Sequence, residues 1–166
     1  MCIITTLHIP SSLSLLAQPL QIPVTAGFAT EIRAKLSLRL AEIFPSSLRT
    51  FFFTLGGADA NENAIKAARL YTGRHKILTR YRSYHGATAG AIALTGDPRR
   101  WVTEPGMPGV VRVLDPKPYR FSFGESDEDI VCNNLKYIDE VIMYEGPQNI
   151  AAMIIETVRA GGGSPL

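Results

Sequence analysis

Cysteine, histidine and tryptophan are scarce in this chain of 166 residues, which holds two, three and one of them. Cys2 and Cys132 form no CxxC pair, and His8, His75 and His85 show none of the paired spacings of a zinc site. We therefore expect no metal site, reduced thiols and a cytoplasmic protein. An excess of one charge sign is also missing: 17 basic against 15 acidic residues give a net +2, and the basic residues are scattered. That balance gives no reason to expect nucleic acid or an anionic membrane as a partner. No apolar run is long enough to span a bilayer. The start carries Ile3-Ile4 and Leu13-Ser14-Leu15-Leu16, which resemble a secretory leader. Yet it lacks basic residues, Pro10 interrupts it and no small-residue cleavage site follows. Residues 1–22 read as a poorly specified lead-in. Neither the GxxxxGK[ST] loop nor GxGxxG occurs, so nucleotide binding by those routes is not expected.

What remains is a chain 46% hydrophobic and 19% charged, enough for one globular domain with a core. From Phe28 onward, helix and strand patterns alternate. Thr30 can cap a helix over 31–43, with Ile32, Leu36, Leu40 and Ile43 at helical spacing and Pro45 as its stop. A strand is expected at Phe51-Phe52-Phe53. A second helix follows, with Asp59 and Glu62 spaced as a capping box, Ala64, Ile65, Ala68 and Tyr71 on its apolar face, and Gly73 at its end. Further strands are expected over 76–81, 110–114 and 150–155. Small residues over 87–94 read as a short packed helix. A last helix over 126–144 begins with the pair Ser126 and Asp129 and carries Ile130, Leu135, Ile138 and Ile142 on one face. This alternation predicts an α/β fold: a mostly parallel sheet flanked by helices.

Ligands of such sheets gather at the carboxyl ends of the strands. Three groups fall there: Gly56-Gly57, Tyr84-His85 and Glu156. Glycines opening a helix let the backbone approach a ligand, and the first helical N–H groups, which lack partners within the helix, favour an anion such as phosphate. Each group also has a plainer reading. Gly56-Gly57 can be a tight turn, and Tyr84-His85-Gly86 ordinary loop. Glu156 at the end of an apolar strand needs a partner if buried.

Taken together, Phe52 to Ala64, Ala67 to Lys76, Tyr81 to Thr88, the Gly106-Met107-Pro108-Gly109 turn and Ile155-Glu156-Thr157-Val158 resemble the class III aminotransferases, fold-type I enzymes that use pyridoxal 5′-phosphate. A shorter match begins near Gly27-Phe28-Ala29-Thr30-Glu31. The resemblance implies that residues 23–166 are part of the large domain of that fold. It implies a phosphate cup at Gly56, Gly57 and Ala58, a ring-stacking aromatic at Tyr84 with His85 beside it, and a substrate-side carboxylate at Glu156. Asp59 and Glu62 fit best as capping and supporting residues. The implied reaction passes an amino group from a small amino donor through the cofactor to a keto acid or aldehyde, in a homodimer.

Departures from the family pattern matter as much as the match. The family places an aspartate against the pyridine nitrogen, and then the Schiff-base lysine, after the Glu156 motif, and these residues contain neither. Lys35, Lys66, Lys76, Lys117 and Lys136 stand elsewhere. The chain alone is therefore expected to lack a catalytic lysine, covalent cofactor attachment and transaminase activity. Two other readings stand beside the enzyme: a catalytically dead module that binds phosphate or cofactor or dimerises, and a non-functional fragment. Leu55 and Gly56 replace the Asn and Ser of many relatives, removing side-chain bonds to the phosphate.

Overall fold

The computed structural model describes residues 30–117 and 120–156. The lead-in, Gly27 to Ala29, and the segment from Thr157 through the Gly161 to Gly163 cluster lie outside the described residues. The described residues fall into two compact units, up to Thr54 and from Leu55 onward.

In the first unit, α1 spans Glu31–Ile43, the expected bounds. Thr30 is its N-cap by position, but its hydroxyl makes no capping bond. The helix is supported by exposed ion pairs, Glu31 with Lys35 at 2.6 Å and Arg39 with Glu42 at 2.9 Å. No residue of α1 is buried, and Ile32 and Ile43 are 64% and 76% exposed. Phe51 to Phe53 do not form a strand. A strand exists through bonds to a neighbour, and among the described residues none pairs with this segment. Instead Phe51 packs edge-on against Phe44, with ring centroids 5.6 Å apart.

The second unit is built on three parallel strands, β1 (Lys76–Arg80), β2 (Val110–Val113) and β3 (Ile150–Met153), in the order β2-β1-β3. Ile77 pairs with Val110 and Arg80 with Val113. On the other side Ile77 pairs with Ala152 and Leu78 with Met153. Central β1 is buried at Ile77, Leu78 and Thr79, as expected of a parallel strand covered on both faces. Helix α2 (Gly57–Thr72) packs against α3 (Ala89–Leu94) and β3. Ile65, Ile77 and Leu94 form the core, with Ala68, Val110, Ala152 and Ile154 against it.

Two expected apolar faces need correction. On α2, Ile65 and Asn61 are buried, whereas Tyr71 is 92% exposed. On α4 (Asp127–Glu145), the buried residue is Asn134, whose amide donates to the Leu114 carbonyl, and Leu135 is 57% exposed. Ile130, Asn134 and Ile138 are spaced by four, so the inward stripe runs through the asparagine and leaves Leu135 beside it. The helix ends conform better. Ser126 Oγ accepts the Asp129 N–H at 3.1 Å, and Gly73 closes α2 at φ 67°, its N–H bonded to the Arg69 carbonyl. Among the described residues, no helix is long and apolar enough to cross a membrane.

Candidate functional site

Because the strands are parallel, the segments that follow them emerge at one edge of the sheet. Beyond β1 come Arg82, with φ 63°, and then Ser83, Tyr84, His85 and Gly86. Beyond β3 comes Glu156. Beyond β2 comes Asp115, buried and 3.4 Å from Arg80 of β1. Arg80 in turn donates to the Glu156 carbonyl at 2.9 Å, so one guanidinium ties the three strand ends together. The Glu156 carboxylate accepts the Tyr84 N–H at 3.0 Å. Two of the sequence-predicted groups thus meet directly.

The third group reaches them through α2. This helix starts one turn earlier than the capping-box spacing implies, at Gly57 with Gly56 as N-cap, and the Ala60 N–H closes the first turn on the Gly56 carbonyl. Asp59 sits inside that turn and reaches back, its carboxylate accepting the Leu55 N–H at 3.3 Å. Gly56 and Gly57 are exposed, and a Cβ at Gly56 would meet nothing within 4 Å. The helix start therefore lies at the surface with room beside it for a ligand. Gly86 brings the aromatic loop up to it. Gly86 has φ 132°, and a Cβ there would lie 2.5 Å from the Ala58 Cβ. Only glycine allows this contact between the loop and the helix start.

Neighbouring Tyr84 and His85 have opposite surroundings. Tyr84 is 41% exposed, with the Arg99 guanidinium 3.7 Å from its ring centroid. Asp97 holds that guanidinium: it caps the short 3-10 turn Pro98–Thr103 through the Arg99 N–H and pairs with the Arg99 side chain. His85 is buried. Its N–H donates to Thr95 Oγ1 at 3.0 Å, its carbonyl accepts from Asn61, and its Nε2 lies 3.3 Å from Thr79 Oγ1. Burial pushes the imidazole below its ordinary pKa and Arg80 adds to this, while the Glu156 charge opposes it. His85 is held inside the loop by its backbone bonds, and Tyr84 is the one that offers a surface.

Glu62 also corrects the expected pattern. It caps α3 rather than its own helix, with Oε1 accepting the Thr88 hydroxyl and the Gly90 N–H at 2.6 Å and the Ala91 N–H at 3.1 Å. Burial alone would raise its pKa, but these donors and nearby Lys66 outweigh that and hold the carboxyl below its ordinary value. Arg99, Asp97 and the Arg80–Asp115 pair lie outside the matched motifs, and Asn61 lies within one that assigns it no role. Their partners are set by the packing of segments far apart in the chain.

The sequence profile of the family described as Aminotransferase class-III matches residues 16–165. A protein of Mycobacterium tuberculosis named as a probable aminotransferase is 37% identical over 144 residues, which are 82% of this chain and 31% of that protein. Among solved structures, a thermostable (S)-enantioselective omega-transaminase from Thermomicrobium roseum superposes with a TM-score of 0.78 at 42% identity, covering 86% of this chain and 33% of the transaminase. A taurine:2-oxoglutarate aminotransferase from Bifidobacterium kashiwanohense, solved with PLP and glutamate, gives 0.71 at 41% identity, over 77% of this chain and 30% of the other. The chain thus spans about a third of the length of the relatives it matches.

Proposed function

The chain belongs to the class III aminotransferases, and on that premise we propose that Gly56, Gly57, Ala58, Tyr84, His85 and Glu156 form part of a pyridoxal 5′-phosphate site. The complete enzyme moves an amino group from a small amino donor to a keto acid or aldehyde, as a cytoplasmic homodimer. The observation that carries this reading is the convergence of three segments: Gly86 lies against Ala58 at the start of α2, and Tyr84 is bonded to Glu156 at the end of β3. The donor set suits a phosphorylated aromatic group, with an exposed, glycine-flanked helix start for the dianion and a partly exposed aromatic ring on the adjoining loop.

When bound, the cofactor supplies an electron sink for amino-group chemistry. The chain's own residues bind and orient. The N–H groups of Gly56, Gly57 and Ala58 take the phosphate, which finds the positive end of the α2 dipole there. Tyr84 holds the ring plane, backed by Arg99 on one of its faces. The buried His85 keeps the loop backbone fixed under Tyr84 through its N–H and carbonyl. Glu156 places a carboxylate beside the Tyr84 backbone, on the side assigned to substrate.

A second reading, a module that holds the cofactor without reacting, is supported by the lysines. Lys76 stands at the opposite end of β1 from the site, its Nζ 2.6 Å from the Glu145 carboxylate. Lys35 and Lys117 are ion-paired to Glu31 and Asp127. A titration of the protein with pyridoxal 5′-phosphate, followed by borohydride reduction and peptide mapping, tests both readings. Saturable, phosphate-competitive quenching of Trp101 is expected, with no pyridoxyl group on Lys35, Lys66, Lys76, Lys117 or Lys136. Absence of saturable binding would sink the site assignment, and a modified lysine among these five would sink the non-reacting module.

A further inference from the structure

One strip of α2 does more than face the core. Ala58, Asn61, Glu62 and Ile65 are spaced by three and four, so they share a face. Each meets a different part of the structure packed on that helix. Ala58 touches the position where a Gly86 Cβ would stand, Asn61 Nδ2 donates to the His85 carbonyl at 2.6 Å, and Glu62 binds Thr88, Gly90 and Ala91. Ile65 enters the core. Asn61 is only 8% exposed and spends a side-chain donor on a loop carbonyl 24 residues away. A Cβ on Gly90 would collide with the Glu62 carboxylate, so the start of α3 is fitted closely to that side chain. The loop between β1 and α3 is thus fastened to α2 on both sides of Gly86.

Resting on the proposed cofactor site, we infer that Asn61 and Glu62 are positioning residues that set the distance between the phosphate cup and the Tyr84 ring. Neither touches the ligand. A phosphate alone needs only the helix start, whereas pyridoxal 5′-phosphate needs the helix start and the ring face at one fixed separation. Loosening the fastening therefore weakens the larger ligand and spares the smaller one.

The test measures the dissociation constant of pyridoxal 5′-phosphate by Trp101 quenching, and that of inorganic phosphate by isothermal titration calorimetry, in the intact protein and in N61A, N61D, E62A and E62Q. N61D keeps the volume and sets a carboxylate against the His85 carbonyl. E62Q keeps an acceptor oxygen, so it rescues part of the E62A loss. N61A and E62A are expected to weaken pyridoxal phosphate by about tenfold, the scale of a buried hydrogen bond, with phosphate unchanged within about twofold. N61D is expected to weaken it at least as much as N61A. Equal weakening of both ligands would make the two residues general supports of the fold and overturn the inference. So would pyridoxal phosphate binding that no variant changes. If N61A and E62A do not fold, the same contrast is read from N61D and E62Q. Binding of neither ligand by the unsubstituted protein would instead overturn the cofactor site itself.

Discussion

Helices α1 and α2 look alike in sequence and differ in every physical respect that matters. Both have an apolar position every three or four residues, and both form over their predicted cores. Yet no residue of α1 is fully buried, while α2 buries Asn61 and Ile65 and contacts α3 and β3. Helical spacing reports which residues share a face. It does not say that another surface will cover that face. A site needs the second condition, because the carbonyl of His85 and the N–H groups of α3 can be held only by a helix that is itself held.

The difference can be broken first at its tightest contact. Gly86→Ala puts a Cβ against Ala58 at a φ that L residues rarely adopt. Overpacking and backbone strain together are expected to cost about 4 kcal/mol. Urea unfolding would show it, whereas Gly56→Ala, with open space and an extended backbone, should cost only about 1 kcal/mol, the loss of a favourable N-cap residue. An equal effect at the two glycines would remove the case for a close approach of loop and helix. Next, Ile65→Ala empties a core position of α2 and should cost about 3 kcal/mol.

A smaller effect is expected from pH. The buried His85 imidazole is held below its ordinary pKa, so the unfolded chain takes up the proton first as pH falls. Its contribution to stability is full above the unfolded value, about 6.5, and is lost as pH drops from there toward the lower folded value. His85→Gln should flatten that part of the stability profile. A profile that keeps the same slope would assign the effect to another group. Smallest of all, Ile43→Ala on α1 should change stability by no more than about 0.5 kcal/mol. A loss as large as that of Ile65→Ala would mean that α1 is covered after all and would erase the contrast.

Much of this was legible in the residues. The bounds of α1, the glycine stop of α2, the Ser126 cap, three of four strands and the order of the motifs follow from local rules, because caps and turns depend on neighbours in the chain. The Phe51 to Phe53 strand failed for the complementary reason, since a strand needs a partner and none of the described residues provides one. Glu62 shows the same limit. An acidic residue three positions after another reads as a cap of its own helix, but its acceptors are taken by α3, 26 to 29 residues on.

The sequence by itself determined the alternation of helix and strand, the family, and the positions of Gly56, Gly57, Tyr84, His85 and Glu156 along the chain. These depend on short-range sterics, on period and on ordered motifs. Only the tertiary structure decided that Tyr84 faces outward while His85 is sealed, that Gly86 rests on Ala58, and that Asn61 and Glu62 fasten the loop. Those outcomes depend on which surfaces and hydrogen-bonding groups meet when distant segments pack, and no local pattern encodes that meeting.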